Sequence, residues 1–91
     1  MRLRYTPHAR GQLEHIAEYI AERDPVASMR VGAQIHKTAL FLTEFPLLGH
    51  ESELSGTREI VVPRIPYVIL YRIKKDKETI EVIGIYHTAQ E

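Results

Sequence analysis

The sequence has no cysteine, and its charges cancel. Without cysteine the chain can form neither a disulfide nor a thiolate nucleophile, and it cannot build a cysteine-ligated zinc site. The absence fits a reducing cytosol. Lysine plus arginine and aspartate plus glutamate each number 12, so the formal net charge is zero. This balance disfavours a globally basic nucleic-acid-binding protein.

Long apolar runs are also absent. No segment approaches the roughly 20 apolar residues that a membrane span requires, and the start of the chain, Met1–Tyr5, lacks the apolar stretch of a signal peptide. We therefore expect a cytoplasmic protein with no membrane partner. The 91 residues, of which 44% are hydrophobic and 26% charged, are typical of a single folded domain spanning residues 1–91. A core this small gains stability from a bound partner.

Cofactor and metal motifs are missing as well. The sequence contains no P-loop, no Gly-x-Gly-x-x-Gly and no Gly-x-Ser-x-Gly. Five histidines are present, but none has the spacing of a metal-binding helix motif. These are His8, His15, His36, His50 and His87. We expect neither a cofactor nor a metal site.

Two prolines mark the starts of two helices. Thr6-Pro7 and Asp24-Pro25 each place a capping side chain before a proline that suits the first helical position. Apolar residues follow each proline at helical spacing, namely Leu13, Ile16, Ala17 and Ile20, then Val31, Ile35, Ala39 and Leu42. The second helix should end by Phe45, because Pro46 follows. The short connection between the helices predicts an antiparallel hairpin.

The remaining segments have the composition of strands and loops. Arg2–Thr6 precedes the helices, and Thr57–Val62, Tyr67–Ile73 and Thr79–His87 follow them, while residues 46–56 are expected to be loop. Short connections predict an antiparallel meander, and counting chain directions places the first strand antiparallel at one edge. The sequence thus predicts a two-layer α+β domain in the order β-α-α-β-β-β, with the helical hairpin on one face of a four-stranded antiparallel sheet.

Both faces of this sheet are predicted to be apolar. The expected register sets Val62 opposite Tyr67 and Ile73 opposite Ile80, with one face meeting the helices. The other face also carries apolar side chains, namely Val61, Val68, Leu70, Ile83 and Ile85. Because one helix pair covers only one face, we expect a partner chain or a second copy to cover the other. The alternative is that residues 46–56 and the C-terminal tail fold over it.

Basic residues are concentrated between positions 54 and 77. Six basic and two acidic residues give this segment a charge of +4. Its three lysines suit a solvated turn, whereas Arg58 and Arg72 lie within strands, where an arginine needs a partner. Arg72 could pair with Glu81 across the sheet. A contact with phosphates or an acidic protein surface is the functional alternative.

His87 ends the last predicted strand beside Tyr86. A histidine can serve as a general acid or base near neutral pH, and with arginines nearby it could cleave RNA. A structural role for a lone histidine at a strand end is the alternative.

Several segments together resemble the RelE/ParE toxin superfamily of bacterial type II toxin–antitoxin systems. They are the opening Tyr5–Ile16, the Phe-Pro-x-x-Gly of Phe45–Gly49, the Arg-Glu-Ile-Val that ends at Val61, and the last two strands, Pro66–Ile73 and Ile83–His87. Each motif alone is weak, but their order and spacing extend over nearly the whole chain.

The resemblance implies a toxin that a co-expressed antitoxin holds inactive in a hetero-oligomer. The antitoxin-binding candidates are then the apolar residues of the second sheet face, Val61, Val68, Leu70, Ile83 and Ile85. Two activities divide the superfamily. RelE-like members cleave mRNA on the ribosome, and ParE-like members inhibit DNA gyrase with no established hydrolytic centre.

The residues favour the ParE-like branch. Val68 stands where RelE-like enzymes carry an arginine, and residues 46–52 hold no clear match to their upstream acid or lysine cluster. For an RNase, the catalytic candidates would be Arg58, Tyr86 and His87, a small set for metal-free phosphoryl transfer. The target-binding candidates are Arg58, Arg64, Arg72, Tyr71 and His87. A non-toxic dimeric binding module is the third hypothesis.

Overall fold

The computed structural model describes residues 1–90 and contains two helices and five strands. Their bounds agree with the helices and the four strands predicted from the sequence, and β2 is additional. In chain order the elements are β1 (Arg2–Tyr5), α1 (Pro7–Ala21), α2 (Pro25–Glu44), β2 (His50–Glu51), β3 (Arg58–Val61), β4 (Tyr67–Lys74) and β5 (Thr79–His87), with short 3₁₀ turns at Lys75–Lys77 and Thr88–Gln90.

Both helices begin at the predicted caps. The hydroxyl of Thr6 accepts a hydrogen bond from the Ala9 N–H at 3.1 Å, and the carboxylate of Asp24 accepts one from the Ala27 N–H at 3.0 Å. The two helices pack as the predicted hairpin, which is reinforced where the Ser28 hydroxyl donates to the Ala17 carbonyl at 2.6 Å. Among the described residues, no helix is long and apolar enough to cross a membrane.

The sheet is mixed, with the strand order β1-β5-β4-β3-β2. The α+β class and the helical hairpin on one face are confirmed, but the prediction of four antiparallel strands is wrong. β1 runs parallel to β5, with Leu3 opposite Ile80. The cause is β2, which lies within the predicted loop and pairs antiparallel with β3. This extra reversal of the chain inverts the directions of β3, β4 and β5 relative to the predicted ones, so that β5 runs parallel to β1.

A bulge in β5 changes which side chains face the helices. The predicted pairing of Ile73 with Ile80 is present, and the Val62 N–H donates to the Tyr67 carbonyl at 2.8 Å as the expected register requires. The ladder then slips, because Leu70 pairs with Gly84 while Tyr71 pairs with Val82. The extra residue, Ile83, inverts the alternation of all later positions in β5.

The inversion places Ile85 in the core. Ile85 is 1% exposed and packs with the residues that lie between the sheet and the helices. The prediction that it lies on the other face, available to an antitoxin, is therefore wrong. The remaining core side chains include Ala9, Ile35, Ala39, Leu42, Val62, Ile69, Tyr71, Ile80 and Val82. We call this helix-covered side of the sheet the inner face and the opposite side the outer face.

The outer face is less apolar than predicted. Val68 is only 2% exposed without any partner chain. Tyr86 lies on this face, where its hydroxyl donates to a Glu59 carboxylate oxygen at 2.8 Å across β4. Leu70 and Ile83 are half-buried, and Val61 alone of the predicted set is well exposed. The molecule therefore covers part of this face with its own side chains.

Candidate functional site

Arg58 holds the segment that follows α2. Its side chain lies on the same face of the sheet as Tyr71, its partner in β4. The guanidinium donates to the Gly49 carbonyl at 2.6 and 3.2 Å and reaches the Leu47 carbonyl at 3.4 Å. Its donors are thus directed at main-chain oxygens of a neighbouring loop.

Tyr71 fixes the same loop from within the core. Its side chain is completely buried, and its hydroxyl donates to the Pro46 carbonyl at 2.7 Å and accepts from the Gly49 N–H at 3.1 Å. A buried side chain cannot meet a target, so the prediction of Tyr71 as a target-binding residue is wrong. Tyr71 and Arg58 together determine the path of Pro46–Gly49.

The loop displays large apolar side chains to solvent. Leu47 and Leu48 are 69% and 56% exposed, and they follow Phe45, which is also exposed. We define the apolar patch as Leu40, Phe41, Phe45, Leu47 and Leu48. Exposed groups of large apolar side chains mark interaction sites. The sequence interpretation missed this patch, although Phe45 and Leu47 flank Pro46 directly and Leu48 follows them.

His87 lies apart from Arg58, another of the RNase candidates. It pairs with Tyr67 at the start of β4, whereas Arg58 pairs with Tyr71, four residues further along that strand. Four residues of strand span roughly 13 Å. Tyr86 points to the outer face, and the bulge directs His87 to the inner face. Both residues line one groove, but the structure does not bring Arg58 to them.

A groove of about 850 Å³ lies between α1 and the end of β5. His87 lines it together with Tyr67, whose ring meets the imidazole edge-on at a centroid distance of 5.2 Å. Burial, and to a lesser extent Tyr19, raise the pKa of Tyr67, which stays a neutral phenol at pH 7. The other described residues that line the groove are histidines, tyrosines, a glutamine and aliphatic residues, with no lysine or arginine.

A second polar cluster lies on the outer face. Glu59 joins His50 and Tyr86, since one of its carboxylate oxygens is 3.2 Å from His50 Nε2 and the other accepts from the Tyr86 hydroxyl. Sequence reasoning missed His50 and Glu59, because their meeting depends on β2, which lies within the predicted loop.

The two other arginines predicted to bind a target differ in their surroundings. Arg72 forms the predicted pair with Glu81, at 3.0 Å, and Glu81 also accepts from Arg4. Arg64 is exposed in the turn between β3 and β4 with a φ of 71°. No three histidine, cysteine or acidic side chains among the described residues are placed to hold a metal ion.

Two helices on one face of a five-stranded mixed sheet form the fold of the RelE and ParE toxins. The toxin–antitoxin system ParDE from the chromosome of P. aeruginosa has a chain that superposes with a TM-score of 0.83 at 22% identity, covering 96% of this chain and 95% of that one. A chain of the Mycobacterium tuberculosis toxin–antitoxin complex RelBE2 superposes with a TM-score of 0.68 at 28% identity, covering 94% and 95%.

The sequence identifies the branch. Residues 3–91 match the model of the ParE toxin of the type II toxin–antitoxin system parDE, so the chain belongs to the ParE toxin family. It is 38% identical over 90 residues to the candidate toxin Y4kP of Sinorhizobium fredii, covering 99% of this chain and 91% of that protein. It is 29% identical over 86 residues to the toxin RelE2 of Caulobacter vibrioides, covering 94% and 93%.

Proposed function

We propose that this chain is a ParE-like toxin that inhibits DNA gyrase in the cytoplasm, does not hydrolyse nucleic acid, and is neutralised by a cognate antitoxin. One observation carries the non-hydrolytic part. The described residues that line the groove at His87 include no lysine or arginine, and the guanidinium of Arg58 is directed at the loop carbonyls of Gly49 and Leu47.

Phosphoryl transfer without a metal requires cations around the scissile phosphate. Arg58 lies several residues away from His87 along the sheet, and Arg72 is ion-paired with Glu81. The described lining of the groove around His87 consists mainly of histidines, tyrosines, a glutamine and aliphatic residues, with neither a lysine nor an arginine to meet a phosphate. This arrangement supports a toxin that acts by binding a protein target.

The test is a supercoiling assay with purified DNA gyrase and relaxed plasmid, run beside a ribosome-dependent mRNA cleavage assay. We expect loss of supercoiling at excess toxin and intact mRNA. The His87→Ala variant should leave the mRNA result unchanged. Normal supercoiling together with mRNA cleavage that His87→Ala abolishes would show the RelE-like activity instead.

The antitoxin part of the proposal is supported by the apolar patch. ParDE and RelBE2, the neighbours in structure, are toxin–antitoxin systems. The patch leaves five large apolar side chains in water at the end of α2 and the loop after it. Covering such side chains stabilises a complex by about 1.5–3 kcal/mol for each one that becomes fully buried. The antitoxin therefore contacts this patch, in addition to the accessible Val61 on the outer face.

A further inference from the structure

Four basic side chains line a groove at the β1 end of the outer face. Arg2 and Arg4 alternate along β1 with Leu3, which packs against the core, so both arginines face outward. Lys74 ends β4, and Lys77 reaches the same groove from the following turn. The groove has a volume of about 570 Å³. We call it the basic groove.

One side of the basic groove is already neutralised in part. Glu81 lies directly between Arg4 and Arg72 in the ladders and forms ion pairs with both. Because a single carboxylate pairs with two arginines, the row of Arg4, Glu81 and Arg72 retains one net positive charge.

The neighbouring row has no acidic member. Arg2, Thr79 and Lys74 lie opposite one another across β1, β5 and β4. The Thr79 hydroxyl donates to the Lys77 carbonyl at 2.8 Å, which holds the lysine-bearing turn beside this row. Within residues 1–90, the ion pairs of the protein involve none of Arg2, Lys74 and Lys77. Three cations thus surround Thr79 with no carboxylate partner.

We propose that the basic groove binds an acidic, extended segment of a protein partner. β1 is the outermost strand of the sheet, so a segment can lie along its free side. Alternate side chains of an extended segment are about 6.8 Å apart and point to one face. Carboxylates at alternate positions of such a segment would have the same spacing as the side chains of Arg2 and Arg4. The inference goes beyond the proposed function and does not depend on gyrase being the target.

A nucleic acid fits the basic groove less well. Bases bind single-strand sites by stacking on aromatic rings, and the residues that line this groove include no aromatic side chain. The row of Arg2, Thr79 and Lys74 supplies the positive charge that a protein carboxylate requires.

Binding of a model peptide to the purified full chain tests the proposal. The probe is a fluorescein-labelled ten-residue peptide that alternates glutamate with threonine, followed by fluorescence anisotropy in 50 mM and 300 mM salt. A glutamine-for-glutamate peptide and a twelve-nucleotide single-stranded DNA are run in parallel. We expect the acidic peptide alone to bind, and to bind more weakly in high salt because the contacts are ionic.

The variant that identifies the site is the double change Arg2→Gln, Lys74→Gln. Its matched control, Arg30→Gln with Lys37→Gln, removes the same charge from exposed positions of α2. We expect about tenfold weaker peptide binding for the first and less than twofold for the second. Equal losses for both, no binding of the acidic peptide, or tighter binding of the DNA with the same dependence on Arg2 would overturn the proposal. Circular dichroism of each variant verifies that it folds.

Discussion

Gly49 shows how closely the chain approaches itself beside the apolar patch. A β-carbon at this position would lie 2.6 Å from the Glu59 carbonyl oxygen and 2.7 Å from the Tyr71 hydroxyl. Both neighbours are fixed, one by the backbone of β3 and the other by burial. The Phe-Pro-x-x-Gly motif that supports the family resemblance therefore has a steric cause at its last position.

Replacement of Gly49 by alanine should destabilise the protein by about 1–3 kcal/mol, because the backbone of β3 has to move. Gly32→Ala is the matched control. Its β-carbon would meet nothing within 4 Å, and alanine in a helix is about 0.5–1 kcal/mol better than glycine. Urea unfolding monitored by circular dichroism measures both variants. Equal stability of Gly49→Ala and the natural protein would contradict the close approach.

The Tyr71 hydroxyl has a similar role in the loop. Tyr71→Phe removes the acceptor for the Gly49 N–H and the donor to the Pro46 carbonyl while preserving the ring. Leaving buried polar groups without partners costs about 1–3 kcal/mol. The same change at the exposed Tyr19 should alter the free energy of unfolding by less than about 0.5 kcal/mol. A small and equal effect in both variants would indicate that the hydroxyl does not hold the loop.

At the scale of elements, β1 is coupled to α2 as well as to β5. Tyr5 near the end of β1 lies beside His36 of α2, with 3.1 Å between the hydroxyl and Nδ1. Burial raises the pKa of Tyr5 above its ordinary value of 10.0. The folded state therefore favours the neutral phenol and binds its proton more tightly than the unfolded chain does.

The stability of the protein should consequently decline as the pH rises above about 10, since the unfolded chain then loses the Tyr5 proton more readily than the folded one. Tyr5→Phe should make this decline shallower without abolishing it, because the pKa of Tyr67 is also raised. Urea midpoints of Tyr5→Phe and of the natural protein, compared between pH 8 and pH 11, test the prediction. An unchanged slope in Tyr5→Phe would show that the phenol does not contribute.

Elements also show where sequence reasoning succeeds. The two helix starts depend on Thr6, Asp24 and the prolines that follow them, and these act through contacts three residues away. Local contacts of this kind can be predicted from the spacing of residue types along the sequence. β2 has only two residues and consists of a histidine and a glutamate, which carry no strand signal. β2 forms because the backbone of β3 has hydrogen-bonding groups on the side away from β4, with which β2 pairs.

At the scale of the whole molecule, the apolar patch and the basic groove are two different surfaces built from different elements. The apolar patch lies at the end of α2 and the loop after it, and the basic groove lies on the outer face of the sheet. The zero net charge of the chain conceals this difference. A partner that wraps the molecule can thus use burial at one site and ion pairs at the other.

Removing the exposed leucines should weaken antitoxin binding while leaving the fold intact. The double variant Leu47→Ser, Leu48→Ser is expected to lose at least about tenfold in affinity, since each leucine contributes apolar area. Its unfolding free energy should change by less than about 1 kcal/mol because both side chains are exposed. Isothermal titration with the proposed cognate antitoxin gives the affinity.

The control is Met29→Ser, an equally exposed apolar side chain near the other end of α2. Wild-type affinity in the leucine variant would place the antitoxin elsewhere, and the accessible Val61 on the outer face would then be the next position to change.

The candidate site was the part of the protein least predictable from sequence. Arg58, Tyr71 and His87 were correctly assigned to strands, but Arg58 and Tyr71 bind the loop after α2, and His87 meets Tyr67 of a neighbouring strand. Ile83 shows the same limit. One extra residue in β5 leaves the strand pattern unchanged while it exchanges the faces of Ile85, Tyr86 and His87.

The sequence by itself determined the helix caps, the positions of β1, β3, β4 and β5, the two-layer class and the family, because each depends on residues close together in the chain or on motifs in a set order. Only the tertiary structure decided the direction of β1, the face of each residue after Ile83, and the groups that Arg58 and Tyr71 bind. These features depend on pairing between distant segments, where a single added strand or bulge reverses the outcome. The physical reason is that side chains alternate between the two faces of a strand with a period of two residues. This alternation does not specify how the strand is aligned with its neighbour, and a shift of one residue exchanges the faces.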